Sequence, residues 1–550
     1  MEYIINGKIK KMQTLPKIGL YFLFGALWSF SQVGYSFAFL PWFTFIPFII
    51  TIKYEDYKYG FFYSLVFGFA VYFFHLWWML PPFASQIFIE LTQPYFYILK
   101  WAIAIILYLA ICAYHGIVYG FIFLIVRYLS KNNINLFYFC IPVVTTVLDY
   151  FFPKLWHDQI GYSQFVFFHF SQIADVFGIP GITFIIICCN SAACILIESI
   201  LCKKKINYGM LVFLAMIIIV IGSSIYGIFR YRYILKISEK SQKAKIGIVQ
   251  GNFSGFEKRD NENIDRMITE YNELSEKLII QKPDLIIWPE TAIPTEYNIS
   301  ETDYSEIKKF GDIPLLTGIH LYKDDKKDLI KLYNSVVLIS KDKKRIDYYN
   351  KRKLVPFVES APVSFLNIFL KIAGYFSFSP GDENKIMEIG NIKLSPDICY
   401  EGINPDYIRK AIVIKGKRAN LIVNVTNDSW YGRTIEPMMH LHMTGFRSIE
   451  NRISLVRCTN SGFSAVFNPT GDEVYTSPLF KKDFVVIEVP LLEIKTIYNK
   501  WGWFFIWFLL IFLVIISAIA TYRKLYFKQV KSLLIAKKIH KRNLKRMWLE

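Results

Sequence analysis

Ile392-Lys-Leu-Ser-Pro-Asp-Ile-Cys399-Tyr-Glu401-Gly402 reads as an apolar strand that runs into a sharp turn ahead of a helix. A cysteine in such a turn is surrounded by backbone N–H groups and lies near a helix N-terminus, which favours both a thiolate and a bound oxyanion. An isolated cysteine is more often a small core residue. Cys458, inside the strand-like run Leu455–Cys458, fits that second description. Two further runs upstream also end on reactive side chains. Asp284-Leu-Ile-Ile-Trp-Pro-Glu290-Thr stops an apolar strand at a proline and presents a carboxylate that burial could turn into a base. Tyr348-Tyr-Asn-Lys351-Arg-Lys-Leu-Val-Pro-Phe-Val-Glu359 sets a lysine before an apolar stretch, with a carboxylate eight residues on. A lysine held by carboxylates can stabilise a developing oxyanion. Taken singly, Glu290 also reads as a turn residue, and the Lys351 segment as a solvated surface strand.

The region around these segments, Ser238 to Ile497, has ordinary soluble composition. Its short β-rich runs are Lys245–Gln250, Asp284–Trp288, Pro314–Gly318, Ser335–Ile339, Ile392–Ile398, Leu421–Val425, Leu455–Cys458 and Ala465–Asn468. Helix-like segments such as Arg266–Ile280 and Pro405–Ile414 fall between them, which predicts an α/β or α+β domain with a buried sheet.

The rest of the chain is different. Over all 550 residues, 54% are hydrophobic, 18% aromatic and only 19% charged, against about 45–50% apolar and 25% charged in a soluble domain. This excludes a purely soluble protein; the aromatic content excludes a disordered one. Cysteine is too sparse for a disulfide scaffold, and Cys112, Cys140, Cys188, Cys189, Cys194 and Cys202 lie in apolar stretches. Seven apolar stretches predict membrane spans before the soluble region: Gly19–Gly34, Phe37–Ile52, Phe61–Leu80, Tyr95–Val126, Leu136–Phe152, Ile179–Leu201 and Gly209–Phe229. An eighth, Trp503–Ala520, follows it. The fold expected is therefore a multi-span α-helical membrane bundle of about eight transmembrane helices plus an α/β domain. Its divisions are residues 1–237, 238–498 and 499–550.

The net charge of +19 follows the positive-inside pattern and not a nucleic-acid footprint. Lys8, Lys10, Lys11 and Lys17 precede the first span, and Lys203–Lys205 follow the sixth. The tail Arg523–Arg546 is strongly basic, whereas residues 81–94 carry no Lys or Arg. Both termini are expected in the cytoplasm and the region between spans seven and eight outside.

Together the three strand ends resemble the Glu–Lys–Cys triad of the nitrilase superfamily, in which an αββα sandwich brings such ends together. The resemblance rests on Trp288-Pro-Glu-Thr291, on Lys351 with Leu354-Val-Pro-Phe357 and Glu359, and on Asp397-Ile-Cys-Tyr-Glu401. With the bundle before it and the single span after it, the chain is similar to the apolipoprotein N-acyltransferase family of bacterial lipoprotein maturation. Further matching segments are Val249-Gln-Gly-Asn252, Tyr333-Asn-Ser335, Asn424-Val-Thr-Asn-Asp-Ser-Trp-Tyr-Gly432, Arg457-Cys-Thr-Asn-Ser-Gly462 and, in the membrane half, Gly161-Tyr-Ser-Gln164.

That resemblance implies ping-pong acyl transfer. Cys399 attacks the sn-1 ester of a phospholipid donor, Glu290 takes the thiol proton, and Lys351 with nearby backbone N–H groups holds the oxyanion. The resulting thioester passes its acyl group to the N-terminal amine of a diacylglyceryl-modified apolipoprotein. Glu359 and Glu401 hold Lys351 and the turn. Trp430 and Tyr431 in one loop, and Phe376 and Phe378 in Tyr375-Phe-Ser-Phe-Ser-Pro-Gly381, are expected to line the lipid cleft. The implied location is the bacterial inner membrane, with the catalytic domain facing the periplasm. No cofactor or metal is signalled; His440-Met-His442 is a pair without a third ligand, expected on the surface. Two positions depart from the family pattern. Arg259 stands in Phe256-Glu-Lys-Arg259 where the family often has Trp, and Val358 where Gly usually precedes the second carboxylate. Cys399 is expected to be exposed, and so open to oxidation outside the cell. The competing readings are a membrane-tethered nitrilase-type amidase or hydrolase, which passes the acyl group to water, and a transporter with an outer binding module. The latter predicts paired ionisable residues inside the spans, where His75, Lys100, His115 and Asp149 are the chief candidates.

Overall fold

A computed structural model describes residues 13–35, 37–86, 96–131, 133–201, 206–325, 329–356, 358–360, 378–502 and 504–547. The N-terminal part is helical. Helices Tyr97–Leu129, Ala174–Leu201 and Tyr208–Lys240, with the terminal Phe504–Tyr526, are long and apolar enough to cross a bilayer. Tyr57–His75 and Trp77–Ala84, bent by 54°, make a fifth if taken as one span. The expected spans near residues 37–52 and 136–152 appear as the shorter apolar helices Leu40–Ile52 and Phe137–Phe151. Pro41 and Pro47 break the first into a 3₁₀ turn and a seven-residue helix; the second runs through Pro142 and ends just before Pro153. The helix Thr14–Ser29 has 16 residues. In Tyr208–Lys240 only 6% of the apolar window is buried within the protein, which leaves that face for lipid.

After this helix the chain enters two sheets. The first has the order β15-β1-β2-β4-β5-β6, with β3 on β4. Its strands are β1 (Lys243–Gln250), β2 (Leu285–Ile287), β3 (Glu296–Asn298), β4 (Leu315–Asp325), β5 (Leu329–Ile339), β6 (Arg345–Asn350) and β15 (Asp483–Pro490). The second has the order β14-β13-β12-β11-β8-β7, built from β7 (Met387–Ile389), β8 (Ile392–Ile398), β11 (Leu421–Thr426), β12 (Ser454–Thr459), β13 (Ala465–Phe467) and β14 (Glu473–Thr476). A small hairpin pairs β9 (Val413–Ile414) with β10 (Lys417–Arg418). The inner faces meet in one core: Ile246, Ile287, Leu316 and Val336 from one sheet, Leu394, Val423, Val456 and Cys458 from the other. The amphipathic helix Ile264–Ile279 covers the outer face of the first sheet. Helices Pro405–Ala411 and Glu436–Asn451 cover the second, and their own outer residues join the core of the helical bundle.

Strand direction positions the chemistry. β2 is parallel to β4, β5 is antiparallel to β4, and β6 is antiparallel to β5, so β2 and β6 end on the same side. Glu290 follows β2 and Lys351 follows β6. Cys399 follows β8, which is parallel to β11. The carboxyl ends of parallel strands are where open α/β sheets place their ligands.

Domain and bundle are joined by buried charge. Arg452 donates from Nε to Asp175 Oδ2 at 3.0 Å and from Nη1 to Gln172 Oε1 at 2.6 Å. Arg230 and Tyr226 hold the same carboxylate at 2.6 and 2.8 Å. The Gly161-Tyr-Ser-Gln164 segment belongs to this seam: Tyr162 Oη accepts from Arg447 Nη2 at 3.0 Å, and Gln164 Nε2 donates to Ala38 O at 2.8 Å. Removing one partner of a buried ion pair strands the other. Arg452→Met is expected to cost about 3 kcal/mol, read as a lowered unfolding temperature of the detergent-solubilised protein.

Other ion pairs of this half lie near helix ends and in the turns beside them. Lys17 pairs with Glu55 at 2.8 Å and Lys53 with Glu198 at 2.8 Å, while Lys154 lies 2.6 Å from Asp149. Each pairing joins a helix residue to one in a turn or loop, which one-dimensional hydropathy does not show.

Candidate active site

Two of the three strand ends are shaped by their backbone. Thr291, directly after Glu290, and Cys399 itself have φ of 48° and 52°, left-handed values that L-residues rarely adopt. Strain of this kind persists only where the surroundings impose it. At Glu290 they do so through Gly318 of β4. A Cβ there would lie 2.5 Å from Pro289 O and from Thr291 N, so only glycine lets the strand approach the turn. Lys258 completes the turn, donating from Nζ to Thr291 O at 2.8 Å and Glu290 O at 3.3 Å. Burial pushes the Lys258 amine down to about 7, against the pull of Glu290. At Cys399 the constraint is Glu401. Its Oε2 accepts from Ile398 N at 2.9 Å, and its Oε1 accepts from Tyr349 Oη, Arg352 N and Lys353 N at 2.7, 2.7 and 3.0 Å. One carboxylate thus ties the cysteine turn to the lysine segment.

Lys351 is 1% exposed and lies between two carboxylates: Nζ is 2.8 Å from Glu359 Oε1 and 3.4 Å from Glu290 Oε1. Asn334 Nδ2 bridges the same pair at 2.7 Å to Glu290 and 3.0 Å to Glu359. Burial opposes the Lys351 charge, but Glu359 and then Glu290 outweigh it and hold the ammonium well above its ordinary range. Val355 N donates to Glu359 Oε2 at 2.8 Å. Val358, where the family usually has glycine, leaves this arrangement intact.

Cys399 departs from expectation in two ways. It is only 9% exposed, and its thiol is pushed well above its usual range, not lowered. Burial is the main cause, followed by the negative charge of Glu290; Lys351 pulls the other way. The turn's N–H groups do not offset desolvation, so the resting nucleophile is a neutral thiol beside a carboxylate and an ammonium. Deprotonation then has to accompany attack, the situation in which a positioned base matters most. Alkylation of Cys399 by iodoacetamide is therefore expected to be slow at neutral pH. It should climb with each step toward alkaline pH, since only the thiolate reacts. A rate already flat across neutral pH contradicts a raised thiol.

The expected lining residues divide. The Tyr431 ring stands edge-on to Trp78 of the bundle at 5.3 Å, and burial, then Glu436, push its hydroxyl well above the usual range. Trp430 lies under the Arg259 guanidinium at 5.4 Å, so the family's missing tryptophan is replaced by a cation on an aromatic face. Phe378 is half-buried with its ring 5.2 Å from His320. Phe376 lies outside the described residues. Tyr400, next to the nucleophile, donates from Oη to Leu155 O of the bundle at 2.9 Å. The cysteine turn therefore abuts the membrane half directly.

The His440–Met–His442 pair is not on the surface. His440 is fully buried, with Nε2 3.2 Å from Cys399 O, and His442 is half-buried, stacked on Phe165 at 5.0 Å. The helix Glu436–Asn451 turns almost every residue inward because bundle and sheet sandwich it, so its hydrophobic pattern gave no sign of which side was wet. Lys258, Asn334, Asp428 and Arg457 were likewise given no role from sequence. All lie in or beside the segments singled out for their resemblance, and that placement was the available signal.

A family profile described as "Carbon-nitrogen hydrolase" matches residues 245–498, and one described as "Apolipoprotein N-acyltransferase N-terminal domain" matches residues 24–192. The curated apolipoprotein N-acyltransferase of Geobacter metallireducens is 28% identical over 498 residues, spanning 88% of this chain and 91% of its own. That of Wigglesworthia glossinidia brevipalpis is 29% identical, spanning 77% and 84%. The solved structure of Saccharomyces cerevisiae Nit3, a member of branch 10 of the nitrilase superfamily, aligns at 19% identity and a TM-score of 0.35 over 48% of this chain and 94% of that one. With both halves matched in the expected order and relatives spanning nearly the whole length, the chain belongs to the apolipoprotein N-acyltransferase family of the nitrilase superfamily.

Proposed function

We propose that Cys399, Glu290 and Lys351 carry out phospholipid-to-lipoprotein acyl transfer through a thioester. The chain is an N-acyltransferase of lipoprotein biosynthesis, as its relatives are named; the residue roles and the steps are our reading. Cys399 Sγ attacks the sn-1 ester carbonyl of a phospholipid while Glu290 takes the thiol proton. The oxyanion is met by Lys351 Nζ and by backbone N–H groups of the cysteine turn. Collapse breaks the ester C–O bond, the leaving alkoxide regains the proton from Glu290, and lysophospholipid departs. The amine of a diacylglyceryl-cysteine then attacks the thioester, Glu290 accepts its proton, and the Cys399 thiol is restored. Glu359 holds Lys351, and Glu401 holds the turn. Trp430, Tyr431 and the Phe376–Phe378 segment grip acyl chains.

One observation carries the choice of lipid over water as the medium. The residues flanking the nucleophile touch the bundle: Tyr400 through Leu155 O and Tyr431 through Trp78. A water-facing hydrolase has no use for that contact. We further read the chain as eight spans divided at residues 1–237, 238–498 and 499–550, in the inner membrane, with both termini cytoplasmic and the catalytic domain periplasmic. Support comes from the basic tail, from the long apolar helices, and from sheets that begin at Lys243 and end at Pro490.

Purified enzyme supplied with phospholipid and a diacylated lipopeptide should yield the triacylated peptide in step with lysophospholipid. Free fatty acid released at the same rate with or without peptide would favour the hydrolase.

A further inference from the structure

A second buried cluster grips the nucleophile from its backbone. The Cys399 carbonyl oxygen accepts from Asn424 Nδ2 at 3.3 Å and lies 3.2 Å from His440 Nε2. A carbonyl can only accept, so Nε2 carries a hydrogen. On the other edge of the ring, Nδ1 is 3.2 Å from Asp428 Oδ1 and 3.5 Å from Glu436 Oε1. Asp428 is ionised: Arg457 Nη2 lies 2.7 Å from its Oδ2. Against the cost of burial, Arg457 and then His440 hold that carboxyl at about 2. Nδ1 therefore also faces an acceptor, and the ring is an imidazolium. His440, Asp428, Glu436 and Arg457 are all fully buried, and neither Glu436 oxygen has a hydrogen-bond partner among the described residues.

The surroundings come from five elements. Glu436 and His440 share one helix, Asp428 and Tyr431 lie on the loop after β11, and Arg457 is on β12. Asp397 and Cys399 end β8, and the Trp156 ring of the bundle stands edge-on to His440 at 5.8 Å. Asp428, Glu436 and His440 bring three ligand-type atoms within 4.8 Å. The guanidinium on Asp428 already supplies positive charge there, so the cluster is better matched to holding protons than to holding a cation.

We propose that His440 is a positioning residue for acyl transfer: its imidazolium fixes the strained Cys399 turn through the Cys399 carbonyl and polarises the Cys399–Tyr400 peptide, strengthening the Tyr400 N–H as an oxyanion donor. Hydrogen bonds to the two ends of one peptide reinforce each other, so charge placed on the carbonyl is felt at the N–H. Glu436 sets the strength of the effect. Its carboxyl is pushed up to about 7, by burial first and Asp428 second. Below that pH Glu436 is neutral, and the imidazolium charge is spent on Asp428 and the Cys399 carbonyl. Above it, a second carboxylate shares the ring and the polarisation weakens. The proposal rests on Cys399 being the acylated nucleophile.

The test is single-turnover thioester formation, followed by intact mass with phosphatidylethanolamine vesicles across about pH 5.5–8.5, for wild type, His440→Gln and Glu436→Gln. His440→Gln should acylate about 10- to 100-fold more slowly, with little change in the lipid concentration for half-maximal rate. Glu436→Gln should match wild type in acid and outpace it increasingly as pH rises through about 7. Wild-type rates in His440→Gln overturn the proposal. Should that variant not fold, a Glu436→Gln profile parallel to wild type overturns it instead. If wild type itself forms no thioester, it is the reading of Cys399 that fails, not the role of His440.

Discussion

Cys399→Ala is expected to abolish acyl transfer, with a loss of about 10⁴-fold or more, because no other group can hold the acyl chain between the two half-reactions. The variant should remain folded. Cys399 is a small side chain at a turn fixed mainly by Glu401, whose bonds to Ile398 N, Tyr349, Arg352 N and Lys353 N do not involve the thiol. Cys458→Ala is the matched control. Its Sγ lies between the sheets, 3.5 Å from Val249 O and 3.4 Å from Ile287 O, and its loss removes packing and a weak S–H donor, with no catalytic group touched. It should retain activity at a stability cost of about 1–2 kcal/mol. Lysophospholipid release measured for both variants separates the two roles, and equal effects would undo the assignment.

Lys351→Met is the second large effect, and its pH dependence makes it diagnostic. The ammonium is the buried cation between Glu290 and Glu359, with Asn334 donating to both. Without it the two carboxylates cannot both stay ionised at such close quarters, and one takes up a proton. Two losses follow. The oxyanion loses its charged donor, worth about 10²–10³-fold in rate, and Glu290 becomes a poorer proton acceptor at neutral pH. The sign for pH is set by the second loss. A carboxyl pair without its cation releases its last proton at higher pH, so residual activity should rise from neutral toward alkaline pH more steeply than in wild type. Lys351→Arg should not rescue, since a planar fork does not fill the place of a compact ammonium between Glu290 and Glu359. The apparent stability should fall by about 3–5 kcal/mol. A variant that loses stability but keeps the wild-type pH profile would make Lys351 structural only.

The triad was readable because each member ends an apolar run, and such runs survive in one dimension. Leu285–Ile287 and Ile392–Ile398 appear in the structure nearly as their sequences suggest. β15 is not among the predicted runs: Asp483–Pro490 lies mostly half-exposed at the edge of the sheet, and its place beside β1 is fixed only by a long-range antiparallel register. The state of Cys399 was misjudged for a related reason. Local N–H groups argue for a thiolate, but burial of the thiol and then the charge of Glu290, which is distant in sequence, push it the other way. His440 shows the same limit. Its partners Asp428, Glu436 and Cys399 O converge only when helix and sheet are stacked. In the bundle, Pro41 and Pro47 marked the broken hairpin, while ion pairs such as Lys53–Glu198 left no trace in hydropathy.

The most direct test of the central claim is intact-mass spectrometry of the purified protein after incubation with phospholipid, beside Cys399→Ala. We expect one acyl mass on the wild type alone, removed by neutral hydroxylamine and discharged onto a diacylated lipopeptide with formation of the triacylated product. A folded, lipid-supplied wild type that carries no adduct, or an adduct that persists in Cys399→Ala, would contradict the thioester route.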